Sequence, residues 1–227
     1  MTTVVAPDLA ARVADVRARI RAASPDPDRV TLVAVTKGFG AGVVRDALAA
    51  GLADCGESYV QELVAKAAEL AASGAGGPRW HAIGRLQRNK VRKAAPLVTL
   101  WHSVDRLELG AEIARWAPGA AVLVQVNTAG EAVKGGCEPA AAPALVEGLA
   151  ALGLDVRGIM AMAPAGPPEG ARPVFSAARD LRDRLGLAEL SMGMTDDYEV
   201  ALGEGATIVR VGRGLFGPRP VGGGARH

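Results

Sequence analysis

Several things are scarce in this chain of 227 residues, and each scarcity excludes something. There are two cysteines, Cys55 and Cys137, far apart and in no CxxC spacing. That rules out a disulfide framework and reads as two free thiols in a reducing compartment. The three histidines, His81, His102 and His227, show no metal-ligand spacing, so no zinc site is expected. Aromatics make up 4% of the residues, too few for a base-stacking surface. A formal net charge of +2 gives no charge-driven case for nucleic acid or a membrane surface. Charged residues interrupt every alanine-rich stretch before about 18 residues, so no transmembrane helix is expected. The opening "MTTVVAPDLAARVADVRARI" lacks an apolar core behind a basic start, so it is not a signal peptide. A cytoplasmic protein is expected.

What is present is a globular composition, 49% hydrophobic and 22% charged, long enough for a sizeable core. Leu9, Val13, Val16 and Ile20 share one face of a helix spanning Pro7 to about Ala23, which the prolines of "SPDPD" end. The chain then alternates. Eight short β-branched runs (31–36, 52–56, 79–84, 97–103, 121–127, 154–162, 187–193 and 206–212) are nearly all followed by segments with helical spacing. Such alternation implies βαβ crossovers and a parallel sheet. Continuous apolar runs fit strands buried on both faces. Eight units favour a single closed (β/α)8 TIM-type barrel, with the first helix as an extra element. An open doubly wound sheet is the alternative. No linker divides the chain; a barrel over 1–219 and a flexible C-terminal tail over 220–227 are expected.

In such a barrel the chemistry sits where strands end. Lys37 ends the first run, in "TLVAVTKGFG". Glu57 and Ser58 follow the second, His81 lies in the third, and Asn127 ends the fifth. The seventh runs into "SMGMTDD" and the eighth into "RVGRG". Loops after strands seven and eight are a common phosphate site, where backbone N–H groups beside glycines face an anion. The plainer reading is that these glycines only make tight turns. Lys66, Lys90 and Lys93 fall in helical stretches and read as solvated charges. Lys37 caps an apolar strand, where a partly dry amine can become a nucleophile toward an aldehyde; the alternative is a side chain that reaches out to water. Arg210, inside the last strand, needs a partner: a ligand acceptor, or a carboxylate such as Glu57 or Asp196. A ligand with an aldehyde, a phosphate and a ring nitrogen would use all these features at once, and pyridoxal 5′-phosphate is one.

The motifs "AVTKGFG", "CGESYVQE", "WHAIGRLQRNKVR", "HSVDR", "QVNTAGEAVKGG", "GIMAM", "LSMGMTDDYEVAL" and "VRVGRGLFG" occur in order over residues 5–219. Together they resemble the pyridoxal phosphate homeostasis proteins (the YggS/PROSC group). The resemblance implies a barrel of the alanine racemase N-terminal type with pyridoxal 5′-phosphate held as a Schiff base on Lys37. It implies that Arg210 bonds the pyridine nitrogen, and that Ser191, Met192, Gly193, Gly212 and Arg213 form the phosphate side. Ser58 and His81 complete the expected cofactor-binding set. Ser58 stands where the family often has Asn, which shortens any contact there or routes it through water. Arg213 stands where the family often has Thr or Ser, which trades a hydroxyl for a guanidinium.

Two functions remain open at this level. One is a carrier that holds the cofactor and regulates its supply without efficient turnover, handing it to apoenzymes as partners. The other is a pyridoxal-phosphate-dependent amino-acid racemase or lyase. Racemisation needs a second acid/base opposite the lysine, and only Tyr59 and Tyr198 offer a phenol. A guanidinium on the ring nitrogen donates a hydrogen bond but not its proton, which suits a carrier. A monomer or weak homodimer is expected.

Overall fold

The computed structural model describes residues 7–74, 76–130 and 135–219. The tail expected at 220–227 lies outside them. The first helix, α1, spans Pro7–Ala23. It buries Leu9, Val13, Val16 and Ile20 at the expected spacing. After a 3₁₀ turn at Pro27–Arg29, eight strands follow. They are β1 (Thr31–Val35), β2 (Asp54–Glu57), β3 (Arg79–Ala82), β4 (Val98–Val104), β5 (Ala121–Gln125), β6 (Asp155–Met160), β7 (Glu189–Ser191) and β8 (Ile208–Val211). Helices lie between them: α2 (Ala41–Ala49), α3 (Val60–Ala72), α4 (Arg88–Ala94), α5 (Leu107–Trp116), α6 (Ala142–Ala151), α7 (Arg172–Arg184) and α8 (Tyr198–Gly203). A short α9 (Arg213–Phe216) follows β8.

The strands form a closed barrel in sequence order. β8 pairs with β1 in parallel register, Val33 beside Arg210, and this closure excludes the open sheet. Side chains alternate across the barrel wall, as the pleat requires. Ala34, Cys55, Trp80, Trp101, Val122, Val124, Ile159, Leu190 and Val209 join the core between barrel and helices. Val33, Leu100, Leu123, Met160 and Ile208 form a separate apolar cluster inside. The same parity turns His81, His102, Ser191 and Arg210 inward from four strands. All four are buried. Gly56 makes room for this interior, because a Cβ there would come within 2.9 Å of Val33 Cγ1.

α1 packs against α8 and α9, which places this first helix beside the elements that follow β7 and β8. The β7 and β8 connections carry the expected phosphate loops.

Candidate functional site at the barrel mouth

β1 delivers Lys37 to the mouth with the inward parity of Val33 and Val35. Gly38 follows with φ +78°, a turn that L side chains rarely adopt, and its N–H donates to Glu62 Oε2 at 2.7 Å. Lys37 is half-buried. Burial, then the charges of Arg219 and Arg210, hold its amine below the ordinary 10.5, against the opposing pull of Glu57 and Glu62. It lines a cavity of about 210 Å³ with Val35, Phe39, Gly212, Arg213 and Arg219.

Beside Lys37 lies a buried ion pair. Lys66 Nζ donates to Glu57 Oε1 at 2.5 Å and to the Thr36 carbonyl at 2.7 Å. Thr36 Oγ1 donates to the same Glu57 oxygen at 2.5 Å. Burial pushes the Glu57 carboxyl up, although Lys66 and Thr36 pull it the other way. Its second oxygen, Oε2, is buried with no hydrogen-bond partner among the described residues. Lys66 is thus a correction: its side chain is 5% exposed, not a solvated charge. Helical spacing in α3 does not reveal that this face meets the strand end.

Arg210 is buried and makes no ion pair with Glu57 or Asp196. Its Nη1 donates to Ser191 Oγ at 2.6 Å and its Nη2 to the Ala161 carbonyl at 3.2 Å. Burial lowers the guanidinium to about 10, with Asp197 pulling the other way. Ser191 Oγ lies 2.9 Å from His102 Nδ1, and His102 Nε2 lies 2.8 Å from His81 Nδ1. His81 Nε2 lies 3.0 Å from Asp54 Oδ1, which also accepts from Arg79 Nε at 2.7 Å. Burial, His81 and Arg210 together keep His102 well below the usual imidazole range.

The expected residues therefore separate. Lys37, Gly212 and Arg213 line one cavity, with Arg210 acting on Lys37 by charge. Ser191 stands behind Arg210, inside the barrel, instead of facing the loop. His81 is deeper still, two side chains from Arg210, because it occupies the middle of β3. Met192 belongs to the outer core. Gly193, at φ +87°, forms a turn whose carbonyl accepts from the Arg210 amide at 3.1 Å. Ser58 lines a neighbouring cleft of about 640 Å³ with Tyr59, Glu62, Arg85, Lys90 and Arg106. Arg213 turns to Asp196 in an exposed ion pair. The hydroxyl at the β7–β8 end is that of Thr195, whose Oγ1 accepts from the Gly214 amide at 3.3 Å. Sequence reading missed Arg219, because nothing in "GPRP" marks an arginine that reaches back to Gly38. Its Cδ sits 2.8 Å from where a Gly38 Cβ would stand.

This donor set suits an anionic aldehyde. A strand-end amine held below its ordinary basicity faces a cavity lined by the cations Arg213, at the start of α9, and Arg219. The fold and site define a (β/α)8 barrel of the alanine racemase N-terminal type: the sequence matches that domain family over residues 8–220. The chain belongs to the pyridoxal phosphate homeostasis protein family. It is 45% identical to the protein of that name from Pseudomonas aeruginosa, covering 94% of this chain and 97% of the relative. The Escherichia coli K12 protein of that name is 36% identical, over 93% and 97%. PipY of Synechococcus elongatus PCC7942, solved with PLP bound, superposes with a TM-score of 0.82 at 36% identity, covering 92% of this chain and all of that one. An alanine racemase from Clostridium difficile shares the fold alone, with a TM-score of 0.69 at 15% identity; the match covers 95% of this chain and 57% of the racemase.

Proposed function

We propose that the protein binds pyridoxal 5′-phosphate at the barrel mouth and serves vitamin B6 homeostasis as a carrier and regulator, without efficient turnover. The observation that carries this reading is Lys37: a half-buried amine of lowered basicity, beside Gly212, Arg213 and Arg219. When bound, the cofactor supplies an aldehyde that condenses with a primary amine and a phosphate that needs anchoring. Lys37 provides the amine, and its depressed pKa keeps more of it unprotonated and nucleophilic. The Gly212–Gly214 backbone and the Arg219 guanidinium hold the phosphate end. Arg210 donates to the ring nitrogen from the barrel interior and keeps its own proton. The likeness to PipY, solved with PLP bound, supports binding of this cofactor.

The carrier reading is favoured over a racemase by what surrounds Lys37. The described residues lining its cavity include no tyrosine, histidine or carboxylate to act as a second acid/base. Tyr198 is buried beside α1, and Tyr59 is 52% exposed in the neighbouring cleft. No described helix is long and apolar enough to cross a membrane. A cytoplasmic location and apoenzymes as recipients complete the proposal.

Mixing the purified protein with pyridoxal 5′-phosphate is expected to give a visible absorbance band. Borohydride reduction and peptide mapping are expected to place the cofactor on Lys37. Lys37→Ala is expected to lose both signals. A band that survives in Lys37→Ala, or a label on Lys66 or Lys90, overturns the site. Interconversion of L- and D-alanine above the free-cofactor background overturns the carrier reading.

A further inference from the structure

The interior side chains from Arg210 to Asp54 form one unbroken series of hydrogen bonds, and its ends fix its direction. An arginine guanidinium only donates, and an ionised carboxylate only accepts. Ser191 Oγ accepts from Arg210 at 2.6 Å and keeps one proton to donate; with Asp54 accepting at the far end, two neutral imidazoles leave His102 Nδ1, at 2.9 Å, as the acceptor for it. His102 then carries its proton on Nε2 and gives it to His81 Nδ1 at 2.8 Å. His81 in turn carries its proton on Nε2 and gives it to Asp54 Oδ1 at 3.0 Å. Burial pushes the Asp54 carboxyl up, but the bonds from His81 and Arg79 outweigh it and leave it below the ordinary range. Asp54 opens β2 and Arg79 opens β3, at the barrel face opposite the mouth. The series therefore threads the barrel from one face to the cofactor end.

Arg210 is 3% exposed, and neither acceptor it is shown bonding is a carboxylate. A buried cation needs compensation. Asp197 acts on it by charge, and its Oδ1 accepts from the Met194 amide at 2.6 Å. A second carboxylate, Asp54, is joined to Arg210 through the wire.

We propose that Asp54 is a remote counterion of Arg210, connected through His81, His102 and Ser191, and that these four residues position and polarise Arg210 where it meets the ligand ring. This rests on the reading of Arg210 as the ring-nitrogen donor. Each link donates in the direction away from Arg210, which makes Ser191 Oγ a stronger acceptor and polarises the bond it receives from the guanidinium. The bonds to Ser191 Oγ and the Ala161 carbonyl fix the orientation of Arg210 and leave its other N–H groups for the ligand ring. Asp54, His81 and His102 are thus positioning residues, acting from the far side of the barrel.

The first test needs no ligand. Long-range proton–nitrogen-15 correlation spectra of the labelled protein at neutral pH are expected to show both His81 and His102 as neutral Nε2–H tautomers. A His102 protonated on Nδ1, with or without a doubly protonated His81, means that the wire runs the other way and overturns the proposal. Asp54→Asn is expected to move the nitrogen signals of His102 and of the Arg210 guanidinium. Arg79→Gln breaks the same surface ion pair but keeps the carboxylate, and is expected to leave them in place. Equal shifts in both variants, or none at Arg210 in Asp54→Asn, assign Asp54 to local structure only. With pyridoxal 5′-phosphate added, Asp54→Asn is expected to bind several-fold more weakly and to shift the absorbance maximum, while Arg79→Gln matches wild type. A wild type that shows the tautomers but never binds the cofactor overturns the functional reading and leaves the wire standing.

Discussion

Two lysines at the mouth, Lys37 and Lys66, owe opposite behaviour to their neighbours. Lys66 has a carboxylate at 2.5 Å and a carbonyl at 2.7 Å, so its ammonium is satisfied. Lys37 is desolvated by burial and has two arginines acting on it, so its ammonium is disfavoured. Its folded pKa lies below 10.5, and the amine is free above that folded value and protonated below it. Covalent capture of plain pyridoxal, which has no phosphate, is therefore expected to speed up with rising pH and level off before 10.5. Arg219→Gln removes a positive charge, which raises the Lys37 pKa and moves that curve to higher pH. Capture near neutral pH is then expected to be several-fold slower in stopped-flow absorbance, and an unmoved curve sinks the role of Arg219. Lys66→Met leaves Glu57 buried without its cation, which costs about 3–5 kcal/mol. Urea unfolding is expected to show that loss, and Glu57→Gln added to Lys66→Met is expected to recover most of it. A single variant as stable as wild type contradicts the pair.

At the scale of elements, the β7–α8 connection shows how a glycine shapes a site through packing. A Cβ on Gly193 would stand 2.6 Å from Ala201 Cβ and 2.8 Å from Tyr198 Cα, at φ +87°. Gly193→Ala is expected to cost at least about 1–3 kcal/mol from backbone strain alone and to weaken cofactor binding by pushing α8 away from the mouth. Thermal melting and a titration check both, and unchanged values in either contradict that packing role. The strands themselves were legible from sequence, because burial on both faces leaves continuous β-branched runs whose ends lie within two residues of the observed ones. α1 was legible from its four apolar positions. The loop residues were harder. Ser191 and Met192 are adjacent, and the pleat sends one into the barrel and the other into the outer core. Proximity in a motif does not reveal that parity.

Across the whole molecule, closure of the barrel makes the site. It sets Val33 beside Arg210, joins the first and last strands, and so brings Lys37 to the Gly212 turn, 175 residues later in the chain. Eight alternating units made the closure legible in advance; the interior wire was not, because His81, His102 and Ser191 come from three strands and pair only once the barrel exists. A ligand held by both the first and last strands stabilises the closed state by mass action. At a free concentration 100 times its dissociation constant it adds about 2.7 kcal/mol. For a domain of this size that corresponds to a rise of roughly 5–10 °C in melting temperature. Pyridoxal 5′-phosphate is expected to give that rise in wild type and a much smaller one in Lys37→Ala. Pyridoxine 5′-phosphate keeps the ring nitrogen and the phosphate but has no aldehyde, so it is expected to raise wild type and Lys37→Ala by the same small amount. Equal large rises with both ligands in wild type would mean that ring and phosphate contacts hold the molecule together and that the Lys37 amine contributes nothing to retention.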